Sequence, residues 1–96
     1  MGYRLTRKAA ADIRHIYLES ARRFGPAQAE RYHVRLRHTF DLLAENPGLA
    51  RERTELSPPV RVHPCGSHVV IYVVEDDGTV LIVRVRHGRE DWAGSP

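Results

Sequence analysis

Apolar residues recur along the chain with two different periods, and the change of period divides it. From Thr6 onward, Ala9, Ile13, Ile16, Tyr17 and Phe24 roughly follow helical spacing, with the Thr6 hydroxyl placed to cap the first turn. Gly25 ends that helix. Pro26 suits the first position of a second helix, where its missing N–H costs nothing, and Ala29, Tyr32, Leu36, Phe40 and Leu43 form the second apolar stripe. Asn46-Pro47-Gly48 stops it. So short a connection between the helices predicts an antiparallel hairpin. Polar residues 49–59, with Arg51, Glu52, Arg53 and Glu55, read as a loop. The period then falls to two. Strands are predicted over Val60 to Pro64, His68 to Glu75 and Thr79 to Arg86, joined by hairpin connections at Cys65-Gly66-Ser67 and Asp76-Asp77-Gly78. A further short strand is predicted at about Tyr3 to Leu5. The expected class is α+β, an antiparallel sheet with the helical hairpin against one face.

The last strand carries the densest chemistry. In Val80 to Trp92, Leu81, Val83 and Val85 are expected on one side of the sheet, and Val80, Ile82, Arg84 and Arg86 on the other. Gly88 permits a sharp turn, so His87, Arg89 and Trp92 are expected to fold back beside the strand end. If Val60 and Val62 point to the core, Arg61 and His63 share the opposite face and approach Arg84 and Arg86.

Here the chain resembles a known family. The ending Arg-Val-Arg-His-Gly-Arg-Glu-Asp-Trp (84–92) is similar to the C-terminal signature of ParE toxins of bacterial type II toxin–antitoxin modules, within the RelE/ParE superfamily. The start, Tyr3 to Ile13, resembles the family's short strand leading into a helix with an Ala-x-x-Asp-Ile element, and Ser67 to Tyr72 resembles its penultimate strand. The resemblance implies a RelE/ParE-like fold: a short N-terminal strand, the helical hairpin, then a three-stranded antiparallel meander forming one sheet with the first strand. It also implies DNA gyrase as the target, a ParD-like antitoxin as neutralising partner in a hetero-oligomeric complex, and no cofactor.

Composition agrees with a single domain over residues 1–96. No signal peptide is recognisable and the longest apolar run, Val69 to Val74, is far short of a membrane span, so a soluble cytoplasmic protein with no membrane contact is expected. The single cysteine, Cys65, excludes an internal disulfide and reads as a plain thiol in a turn. Residues 1–48 carry nine Arg or Lys against five acids, and residues 49–96 carry six against seven. The basic excess therefore lies on the helices. A near-neutral strand half disfavours an RNA-binding active face. The resemblance implies contact with DNA only indirectly, through antitoxin or gyrase.

The alternative enzyme class is a ribosome-dependent messenger RNA endonuclease of the RelE kind. Its basic groups would be Arg61, Arg84 and Arg86, with His87 for proton transfer. The constellation is incomplete, because each loop arginine has an acid nearby and no Tyr or Lys follows the last strand to complete a site. His87 reads better as part of the turn. His63, His68 and His87 have no spacing that marks a metal site, and His15, His33 and His38 read as helix surface groups. Glu90 and Asp91 are placed to pair with Arg84, Arg86 or Arg89 and to mask their charge. Trp92 suits either packing over the sheet end or service as an interface anchor.

The reading is therefore a binding toxin and not an enzyme. Arg84, Arg86, His87, Arg89 and Trp92 are the expected target-binding residues. An antitoxin segment is expected along the helices, against Ile13, Tyr17, Tyr32, Arg35, Leu36 and Phe40.

Overall fold

A computed structural model describes residues 2–90 and 92–94. In chain order the elements are β1 (Tyr3–Leu5), α1 (Arg7–Phe24), α2 (Pro26–Glu45), β2 (Glu52–Arg53), β3 (Val60–Cys65), β4 (His68–Val74) and β5 (Val80–His87), then a short 3-10 turn over Trp92–Gly94. The predicted elements are all present, with strand ends displaced by a residue. β2, two residues inside the expected loop, is an addition.

One hydroxyl starts α1 and ties it to the sheet. Thr6 Oγ1 accepts from the Ala9 N–H at 3.0 Å, satisfying one of the orphan donors of the first turn, and donates to the Val83 carbonyl at 2.7 Å. Gly25, at φ 91°, serves both helices: its N–H donates to the Ala21 carbonyl and its carbonyl accepts from the Ala29 N–H. That backbone conformation belongs to glycine, and it reverses the chain in a single residue.

The sheet has five strands in the order β1-β5-β4-β3-β2, with β1 parallel to β5 and every other pair antiparallel. The hairpin covers one face. Ala9 and Ile13 of α1 and Leu36, Phe40 and Leu43 of α2 pack against Cys65, Val70, Tyr72, Val80, Ile82 and Val85. Burying one such large apolar side chain contributes roughly 1.5–3 kcal/mol. The Tyr72 hydroxyl donates to the Pro47 carbonyl at 2.9 Å and accepts from the Ala50 N–H at 3.2 Å, which fixes the turn after α2.

Two expectations about facing are corrected. In β3, Arg61 pairs with Tyr72 and His63 with Val70, so these polar residues share the helix side, while Val60 and Val62 lie with Ile71 on the other. The Arg61 guanidinium is accommodated there by the Ala50 carbonyl. In β5 the alternation is interrupted. Ile71 pairs with Arg84 and Tyr72 with Ile82, which leaves Val83 as an extra residue in a bulge. Val80 and Ile82 are consequently core, and Val85 joins them instead of Leu81 and Val83. Phe24 is also corrected: it ends the predicted stripe of α1 yet is 66% exposed.

Among the described residues, no helix is long and apolar enough to cross a membrane.

Candidate functional site: a cleft between the helical hairpin and the end of β5

The site follows from a shortage of strand. β1 pairs only with Val80, Leu81 and Ile82, so the outer edge of β5 beyond Ile82 has no strand partner. Asp12 of α1 takes that place. Its Oδ2 accepts from the Val85 N–H at 3.0 Å and from Arg84 Nε at 2.7 Å, and Oδ1 accepts from Arg84 Nη2 at 3.0 Å. This forked pair is the geometry in which a guanidinium meets a carboxylate best, and the Asp12 hydrogen bonds raise the Arg84 pKa. α1 is thereby locked to the last strand.

The residues after β5 close into a tight turn around one carboxylate. Glu90 accepts from Arg86 Nη2 at 2.7 Å and from the His87 N–H at 2.8 Å, while the Gly88 N–H donates to the Ser67 carbonyl at 2.9 Å. The Arg86 and His87 hydrogen bonds hold the Glu90 carboxyl well below the usual range, at about 2. His87 Nδ1 accepts from the Arg89 N–H at 3.2 Å.

A histidine pair forms the inner wall. His68 opens β4 opposite His87 at the end of β5, and their ring centroids are 5.3 Å apart. The Tyr32 hydroxyl of α2 lies 2.6 Å from His68 Nδ1 and donates to the Cys65 carbonyl at 3.1 Å. Burial lowers the His68 pKa, and the neighbouring His87 charge lowers it further. Gly66 makes this approach possible. At φ 60° it occupies the left-handed region, and a Cβ there would fall 2.7 Å from the Tyr32 ring. Together α1, the start of α2 and the ends of β4 and β5 enclose a cleft of about 600 Å³.

Of the expected target-binding residues, Arg84, Arg86 and His87 line this cleft. Arg89 is exposed on the adjoining turn. Trp92 is directed elsewhere: Arg53, which pairs with Val60 on the second side of the sheet, sets its guanidinium over the indole at 5.7 Å. The alternative nuclease set is not gathered, because Arg61 does not line the cleft and its guanidinium lies against Ala50. Asp91, an expected pairing partner, falls outside the described residues.

The antitoxin-binding expectation is corrected for three residues. Ile13, Leu36 and Phe40 are buried in the core, so they are not an accessible surface. Tyr17 is half-buried edge-on against His33, Tyr32 is half-buried at the cleft, and Arg35 is exposed. His33 is likewise not a simple surface group, since its Nδ1 is buried.

Sequence reasoning missed the parts that α1 and β4 bring to the cleft. Asp12 stood in the quoted helix element without a role, and His68 paired with His87 only through the bulge. Counting residues back from the Val74–Val80 pair would set His68 opposite Arg86. The one-residue shift at Val83 is what aligns the imidazoles.

Residues 3–92 match the family of ParE toxins of type II toxin–antitoxin systems. The chain belongs to the ParE toxin family. It is 38% identical over 89 residues to Toxin ParE1 of Mycobacterium tuberculosis, covering 93% of this chain and 91% of the relative. It is 40% identical over 85 residues to Toxin ParE1 of Caulobacter vibrioides, covering 88% and 86%. A chain of the chromosomal ParDE system from P. aeruginosa superposes with a TM-score of 0.75 at 25% identity, covering 91% of this chain and 95% of that one. This ParE toxin therefore has the α+β architecture of the RelE/ParE superfamily, and its cleft lies within the matched residues 3–92.

Proposed function

We propose that this toxin inhibits DNA gyrase by binding it through the segment Arg84 to Trp92 and is neutralised by a ParD-like antitoxin. The observation that carries the non-catalytic reading is the state of the basic groups. Arg84 is held by Asp12, Arg86 by Glu90, and Arg61 is turned to the helix side of the sheet. Developing charge on a phosphodiester would need free convergent donors, whereas Arg61 lies outside the cleft and Arg84 and Arg86 are already engaged by carboxylates. A rigid, pre-paired surface suits recognition, because little ordering entropy remains to be lost on binding.

The solved relative of the ParDE system supports an antitoxin partner. In place of the buried residues, the accessible surface for it is the outer face of α2, where Ala27, Val34 and Leu42 form an apolar strip flanked by Arg31, Arg35 and His38. An acidic amphipathic segment would complement it.

The test is a supercoiling assay with purified gyrase. Arg86→Ala combined with Arg89→Ala is expected to remove inhibition while leaving antitoxin binding and thermal unfolding near those of the parent. Discrete messenger RNA cuts on translating ribosomes, mapped by primer extension and lost on His87→Ala, would overturn this reading in favour of the RelE-type nuclease.

A further inference from the structure

The cleft beside β5 has a second wall that the C-terminal motif does not supply. Phe24, the last residue of α1, stands at the hairpin tip with 66% of its surface in water, although Phe40 of the same hairpin is 1% exposed in the core. Phe24 and Gln28 line the cleft from the hairpin side, opposite Arg86 and His87. Its floor holds the Tyr32 and His68 rings, whose polar atoms already bond one another. Burial keeps the His68 imidazole toward its neutral form.

The guanidinium groups that line the cleft each have a carboxylate beside them. Arg84 is matched by Asp12 at 2.7 Å and Arg86 by Glu90 at 2.7 Å, while Glu19 is shared between Arg22 at 2.6 Å and Arg23 at 3.6 Å. A phosphate entering here would have to compete with a carboxylate at each guanidinium. An apolar side chain would instead cover the exposed phenyl ring and leave every ion pair in place.

We propose that this cleft receives an apolar or aromatic side chain of the target protein, clamped between Phe24 and the His68–His87 pair, so that the toxin recognises protein and not the DNA backbone. The inference rests on the gyrase reading of Arg84 to Trp92 and extends that surface to the tip of the helical hairpin. Phe24 then acts as an interface anchor.

Two full-length variants test it. Phe24→Ser removes the anchor, and Ser20→Trp fills the cleft from α1. In each, inhibition of gyrase supercoiling is expected to need about tenfold more toxin, the loss typical of an interface anchor. Antitoxin binding should be unchanged, as should thermal unfolding of Phe24→Ser. Binding of the parent toxin to gyrase subunits without DNA should persist between 50 and 200 mM salt, where a complex built on several phosphate contacts weakens by roughly a thousandfold or more. Full potency of both folded variants beside an inhibiting parent would overturn the clamp alone. A parent that does not inhibit gyrase would overturn the underlying reading and the clamp with it. Salt-sensitive binding of bare duplex DNA, lost in the Ser20→Trp variant, would put nucleic acid in the cleft. Loss of antitoxin binding with gyrase inhibition retained would assign the cleft to the antitoxin.

Discussion

Asp12 is the residue on which the site most depends, because one half-buried carboxylate satisfies both the Arg84 guanidinium and a strand-edge N–H. Asp12→Ala leaves two groups without acceptors in a partly desolvated place, and the expected cost is about 2–3 kcal/mol by urea unfolding. A change below about 0.5 kcal/mol would mean that water replaces the carboxylate freely. His68 gives the second prediction at this scale. Its folded pKa is lowered, so the unfolded chain binds the proton more readily, and stability rises with pH across the interval between the two values. The stabilisation is complete above pH of about 6.5, the unperturbed histidine value, and is lost as pH falls through the lower folded value. His68→Gln should flatten the dependence of unfolding temperature on pH below about 6.5, the unperturbed histidine value. An unchanged slope would place the titration on another group. Glu90 acts in a more acidic window, and its contribution is lost as pH falls from the ordinary glutamate value of 4.5 through about 2.

At the scale of elements, the junction of β1, α1 and β5 holds the architecture together. The Thr6 hydroxyl both caps α1 and anchors it to Val83. Thr6→Ala should therefore cost more than a cap alone, about 2 kcal/mol in total, where a cap typically contributes about 1. Thr6→Ser should recover most of that by equilibrium unfolding, and a serine no better than alanine would assign the loss to the methyl group. Helices and strands were legible in the sequence because period, caps and breakers agreed: Thr6, Gly25, Pro26 and the Asn46-Pro47-Gly48 stop are all local signals. Facing was not legible in β3 and β5. β3 turns its apolar Val60 and Val62 away from the helices and carries Arg61 and His63 on the helix side, the reverse of what alternation alone suggests, and the bulge at Val83 has no glycine to announce it. The same bulge hid the His68–His87 pair. Asp12 was invisible for a different reason, since its role exists only because β1 stops at Leu5 while β5 continues to His87.

On the whole molecule, the cleft and the outer face of α2 have no lining residue in common. Target and antitoxin recognition should therefore be separable by mutation. Leu42, 43% exposed, and Val34, 38% exposed, have little packing to lose, so an aspartate at either position should leave unfolding close to the parent's. A buried apolar anchor in an interface typically contributes about 2 kcal/mol, so Leu42→Asp should weaken antitoxin binding by roughly thirtyfold. Gyrase inhibition and growth arrest should persist, and in cells supplied with antitoxin this variant should be the more toxic one. The basic helical surface should mainly speed association, so raising salt from about 0.15 to 0.5 M is expected to lower the on-rate while changing the dissociation rate little. Affinity that collapsed over that range would mean that surface charge, and not the apolar strip, holds the complex. Unchanged affinity in Leu42→Asp would instead move the antitoxin to the second side of the sheet, where Val62, Val69 and Val73 are only half-buried.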